Sequence, residues 1–145
     1  MLPFLVLIVS LLVFRALGFA GITAFTSWHS SARDALAVML SFTASAHFTS
    51  MKDELVRMMP PWVPGPRVVV YFTGICEIAG VVGLLIPVLN HAAGISLIVF
   101  FLAVLPANIH AARAGVTLRG KAATALRLRV PLQLLFIAWT WWSTQ

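Results

Sequence analysis

Long apolar runs separated by short polar ones set the organisation of this chain. Residues 2–25 are apolar apart from one charge, Arg15, and a few small polar residues. Residues 34–50 form a shorter run, rich in small and hydroxyl side chains. Residues 68–87 carry Glu77 near their middle, residues 92–112 end in FLAVLPANIHAA, and residues 126–142 end in WTWW. Crossing the hydrocarbon core takes about 20 mostly apolar residues in a helix. The pattern therefore predicts five transmembrane helices at these positions, in one all-α bundle spanning residues 1–145.

One connection has a pattern of its own. In SMKDELVRMMPPWVPGP, Met51, Leu55, Met58 and Met59 recur at helical spacing, with Lys52, Asp53, Glu54 and Arg57 on the other side. That predicts a short helix over 51–59 lying in the membrane interface. The prolines behind it stop the helix and hold the chain extended before the next span.

Composition agrees. Hydrophobic residues make up 61% of the chain and charged residues only 10%, against about 25% charged in an average soluble domain. Mean hydropathy is +0.99. The chain lacks the polar surface to cover itself in water. Its start reads as a span rather than a signal peptide: there is no basic leader, the apolar run is too long, and no small-x-small cleavage site follows.

Ten Lys and Arg face four Asp and Glu, and the placement of these charges predicts topology rather than nucleic-acid binding. The second-to-third connection holds Lys52, Arg57 and Arg67; the fourth-to-fifth holds Arg113, Arg119 and Lys121, with Arg127 and Arg129 at its end. The first-to-second holds only Arg33, and the third-to-fourth none. Basic loops stay in the cytoplasm, so the N-terminus is expected inside and the C-terminus outside. Trp28, Trp139, Trp141 and Trp142 would then mark the outer interface and Trp62 the inner one.

Cys76 is the single cysteine, which excludes an intrachain disulfide or thiol relay. It reads as a small buried apolar residue. No phosphate loop, dinucleotide fingerprint, nucleophile elbow or metal-spaced His and Cys cluster appears, so no metal is expected.

Polar residues inside the spans are the candidates for chemistry, because an ionisable group there costs roughly 2.5–3.5 kcal/mol on insertion scales unless it faces protein or water. Glu77 is the only acidic residue deep in an apolar run, roughly 15 Å from the Arg67 end at 1.5 Å per residue. Thr73, Gly74 and Gly80 share its face. Arg15 lies roughly 20 Å along the first span, at similar depth, so an Arg15–Glu77 ion pair is expected as the alternative to a functional carboxyl. His47 and Asn108 both fall in the inner half and are expected to meet there, with Glu77 deeper. His110 is about 200° around the helix from Asn108 and points elsewhere unless Pro106 distorts the helix. Phe48 and Trp62 are placed to border the entry to such a site.

Four blocks in order, SFTASAHF, MMPPWVPGP, TGICEIAGVVGLLIP and FLAVLPANIHAA, resemble the DoxX family of small bacterial membrane proteins over about Ala35 to Trp142. His47, Phe48, Pro60, Pro64, Glu77, Pro106, Asn108 and His110 match its pattern. The resemblance implies a four-helix membrane bundle in the bacterial inner membrane. It also implies a link to quinol-oxidase complexes, thiosulfate oxidation or oxidative stress. The span before the HF block is additional to that pattern.

Three functions fit these residues. The bundle binds a small lipophilic molecule, a quinone or an isoprenoid lipid, near His47, Glu77 and Asn108, in support of redox metabolism. Or Glu77 and His47 serve as acid and base of a cofactor-free enzyme acting on a lipid. Or the chain is an accessory subunit of a membrane redox complex without chemistry. Haem, with His47 and His110 as axial ligands, is not expected, since no attachment motif is present. The first reading leads, and whether the chain is an enzyme stays open at this point.

Overall fold

The computed structural model describes residues 2–114 and 126–145 throughout, and the backbone alone of residues 117–118 and 121–122. Among the described residues there are six α-helices: α1 (Leu2–Phe19), α2 (Trp28–Phe48), α3 (Lys52–Met58), α4 (Pro66–Leu85), α5 (Asn90–Arg113) and α6 (Leu126–Ser143). A 3-10 turn, Thr23–Phe25, joins α1 to α2. A two-residue antiparallel pair, β1 (Thr117–Leu118) with β2 (Lys121–Ala122), lies between α5 and α6. Arg119 and the side chain of Lys121, both counted above among the basic loop residues, lie outside the described residues.

The helix ends follow local chemistry. The predicted first span breaks earlier than expected, at Phe19, because Gly21 takes a left-handed φ of 99° that turns the chain. The second helix starts earlier than expected, because the Ser27 side chain accepts from the His29 amide at 3.2 Å and caps it. Pro66 opens α4 at the position where a missing N–H costs nothing. In α3, Asp53 and Glu54 lie in the first turn and Arg57 in the last, as the helix dipole prefers.

The long helices alternate in direction. α2, α4, α5 and α6 form a closed ring in which α2 touches α4, α4 touches α5, α5 touches α6 and α6 returns to α2. α1 packs on the outside of this ring, against α2. Only Leu7 and Arg15 of α1 are buried. α3 lies across one end of the ring, touching α2, α4 and α5. The core is Leu7, Ala35, Leu36, Ala37, Met39, Leu40, Leu84, Leu97 and Phe101, more than half of it from α2.

Of the five expected spans, three helices, α1, α4 and α5, are long and apolar enough to cross a membrane. This agrees with a membrane location. Their outward faces carry Leu12, Val13, Phe72, Ile75, Val99 and Leu102, all at least half exposed, which suits lipid rather than water. α2 and α6 are more polar for a structural reason. α2 is touched by α1, α4 and α6, so its alanines and serines serve close helix approach rather than lipid contact. α6 turns Gln133, Thr140 and Ser143 into the protein.

Candidate functional site

A single stripe of α4, Val70, Thr73, Gly74 and Glu77, faces α2 at three- and four-residue spacing. From α2, Thr43 and His47, one turn apart, face this stripe. The helices meet closely because residue 74 is glycine: a Cβ there would fall 2.6 Å from the His47 Cβ, inside contact distance. The close approach puts four polar groups together in a water-poor seam.

His47 is 9% exposed and Glu77 8%. His47 Nδ1 lies 2.6 Å from the Val70 carbonyl oxygen. A carbonyl only accepts, so Nδ1 carries the proton and donates. The other ring nitrogen, Nε2, lies 3.7 Å from Glu77 Oε1. The remaining carboxyl oxygen, Oε2, accepts from the Thr43 hydroxyl at 2.8 Å. Thr73 Oγ1 is 3.3 Å from His47 Nδ1 and donates to the Val69 and Val70 carbonyls at 3.0 and 2.9 Å. Nε2 is therefore the ring nitrogen that faces Glu77, across a gap wider than a hydrogen bond.

Sequence reasoning placed His47 and Glu77 in one region, and the structure brings them together. Asn108 does not join them. It lies on the α5–α6 side of the ring, where its Nδ2 donates to Gln133 Oε1 at 3.3 Å and its Oδ1 accepts from Arg129 at 2.9 Å. Gln133 in turn donates to the Phe101 carbonyl at 2.8 Å. The reason is the ring order: α5 stands diagonally opposite α2, and α4 separates them.

The expected Arg15–Glu77 ion pair does not form either. Arg15 donates to the Phe25 and Thr26 carbonyls at 2.8 and 2.7 Å and lies over the rings of Trp28 and Phe19. Similar depth was not enough, because α1 packs on α2, and α2 separates it from α4.

The aromatic candidates divide as well. Phe48 sits beside Tyr71, ring centres 6.0 Å apart. With Ser41, Ala44, Ser45, Ile78 and Val81 it lines a groove of about 230 Å³ on the α2–α4 seam. Trp62 and His110 line a different cleft, together with Pro60, Pro106, Ile109 and Arg113.

Two partners were missed, Gln133 and Arg129, while Thr43 lies on the face of His47, one turn before it. Gln133 interrupts the apolar stretch PLQLLF, and the cost argument that singled out Asn108 applies to it equally. Arg129 was counted only as a loop charge, and nothing local distinguishes it. Among the described residues no group of His, Cys, Asp and Glu is arranged to hold a metal ion.

A closed four-helix ring with a buried His–carboxyl pair on one seam and an amide–guanidinium network on another defines the class: an all-α bundle with membrane-length helices. The chain belongs to the family described as a domain of unknown function, DUF8561, whose model matches residues 36–144. The matched stretch begins inside α2 and ends one residue from the C-terminus, so it takes in most of the ring and leaves out α1. No curated protein and no solved structure matches the chain.

Proposed function

We propose that the chain is a multi-pass protein of the bacterial cytoplasmic membrane, with five spans and the N-terminus inside, and with a DoxX-like ring. In this reading His47 and Glu77 bind a small lipophilic molecule, a quinone or an isoprenoid lipid, in support of redox metabolism. The observation that carries the reading is the 3.7 Å between His47 Nε2 and Glu77 Oε1. That is too long for a direct hydrogen bond, yet one oxygen about 2.8 Å from both atoms would be bonded by both. A quinone carbonyl or an isoprenoid hydroxyl offers such an oxygen. Either group would donate to a carbonyl when it carries a proton on the facing atom and accept from a hydroxyl when it does not. The groove along the same seam, lined by Ala44, Phe48, Ile78 and Val81, suits an apolar ring or tail.

A second reading is an accessory subunit of a membrane redox complex. It is favoured by the other two atoms of the pair, Nδ1 and Oε2, which are already satisfied by Val70 and Thr43, as in a tie between helices.

The test is to purify the full chain in mild detergent and identify co-purifying lipophilic molecules by mass spectrometry. His47→Gln and Glu77→Gln are compared with the wild type. The ligand reading expects an oxygen-bearing lipophile on the wild type and about tenfold less on a folded His47→Gln variant. Loss of ligand only from unfolded variants, or none on the wild type, leaves the accessory reading.

A further inference from the structure

Away from the His47–Glu77 seam, the PPWVPGP connection and the last two turns of α5 enclose an open cleft of about 320 Å³. It is lined by Pro60, Trp62, Pro106, Ile109, His110 and Arg113. We propose that this cleft holds one anionic phospholipid, its phosphate on Arg113 and His110 and its glycerol and upper acyl chains along Trp62, Ile109 and Pro106.

The order of side chains carries the argument. α5 ends at Arg113, where the helix leaves the apolar layer. Reading back along it, the lining residues run from a cation, Arg113, through a nitrogen donor, His110, to the apolar Ile109 and Pro106. Pro106 to Arg113 covers roughly 10 Å of helix at 1.5 Å per residue. A phospholipid has the same sequence of groups along its length: charged phosphate, polar ester, then hydrocarbon. The charge is complementary, since none of the six lining residues is acidic. Arginine presents a planar fork of N–H donors that matches phosphate oxygens.

The facing wall is built to stay in place. Pro60, Pro61, Pro64 and Pro66 each fix their own φ, which narrows the conformations open to the connection around Trp62. Pro60 is buried as an anchor while Trp62 remains 72% exposed. An indole held this way, apolar with one N–H, suits the interfacial layer where tryptophan collects. Among the described residues, a large aromatic ring held outside the core in this way serves little packing purpose. It supplies a flat wall for something outside it.

The experiment is native mass spectrometry of the full chain released from detergent containing equal amounts of phosphatidylglycerol and phosphatidylcholine. One retained phosphatidylglycerol is expected, with at least about a tenfold preference over phosphatidylcholine. Arg113→Gln should lower that retention about tenfold and Trp62→Ala several-fold, while Arg113→Lys keeps an intermediate level. Arg57→Gln, which removes an exposed cation outside the cleft, should leave retention unchanged. Helical content by circular dichroism confirms that each variant is folded. Equal retention of both lipids, or equal loss in Arg57→Gln and Arg113→Gln, would overturn the proposal. A second arm adds millimolar inorganic phosphate: displacement of the lipid by phosphate alone would show that the acyl chains contribute nothing and would remove the lipid as occupant.

Discussion

His47 Nε2 lies 3.7 Å from Glu77 Oε1 while the opposite ring nitrogen is held 2.6 Å from the Val70 carbonyl. The backbone carbonyl thus fixes which nitrogen faces the carboxyl. The two polar groups face each other across a gap wider than a hydrogen bond, each less than a tenth exposed.

This arrangement makes Glu77→Gln mild. A glutamine amide can donate to His47 Nε2 while its oxygen still accepts from Thr43. The expected cost is within about 1 kcal/mol, whereas Glu77→Leu, which leaves Nε2 without a polar partner, should cost about 1–3 kcal/mol. Denaturation in detergent micelles measures both. If Glu77→Gln proves as damaging as Glu77→Leu, the ring is a stranded imidazolium and the pair is ionised.

Gly74→Ala tests the close approach that creates the seam. Its methyl would meet the His47 Cβ and ring, so α2 and α4 must separate. A loss of about 1–3 kcal/mol is expected for such overpacking. On the ligand reading, the same variant should also retain less of any co-purifying lipophile, measured on its folded fraction.

Arg15 and Glu77 are expected to act independently. Arg15→Leu removes the donor to two carbonyls and should destabilise by roughly 1.5–3 kcal/mol, the range for a hydrogen bond from a charged group. Combined with Glu77→Gln, the two effects should add within about 0.5 kcal/mol. A coupling well above that in a thermal double-mutant cycle would mean that they communicate across α2.

Asn108 and Gln133 should be coupled instead. They share a hydrogen bond, and Gln133 also binds the Phe101 carbonyl. Asn108→Ala and Gln133→Ala should therefore show an interaction energy of about 0.5–3 kcal/mol. Neither substitution should change ligand retention at the His47–Glu77 seam. A loss of ligand in folded Asn108→Ala would show that one site spans the ring.

Topology is checked with a reporter active only outside the cytoplasm. Fused after Gln145 it should be active; inserted between Pro61 and Trp62 it should be silent. The opposite pattern would reverse the proposed orientation, and activity at both positions would mean an even number of crossings between them, against the proposed five spans.

How much of the site was legible follows from which interactions are local. Glu77 and His47 announced themselves because an ionisable group in an apolar run is costly wherever the run folds. Their company on each helix, Thr43 and Thr73, was readable from four-residue spacing. Which helix each residue faces was not. Depth along a span can be estimated from residue counts, and it put Arg15 level with Glu77 and His47 level with Asn108. Depth carries no information about which helices are neighbours.

By itself the sequence determined the six helices to within a few residues at most ends. Apolar runs and prolines act over one or two turns, within reach of their own neighbours in the chain; the Gly21 turn and the Ser27 cap are equally local and account for the two ends that were misplaced. It also predicted the short helix α3, whose Met58 is buried, because amphipathic spacing is local. Only the tertiary structure decided that α2, α4, α5 and α6 close into a ring with α1 outside. With that came the pairing of His47 with Glu77, of Asn108 with Gln133 and Arg129, and of Arg15 with the carbonyls of Phe25 and Thr26. The physical reason is that the order of helices around a ring is set by the fit of side chains on facing surfaces. At Gly74, the absence of one carbon lets two helices come close enough to join their polar groups.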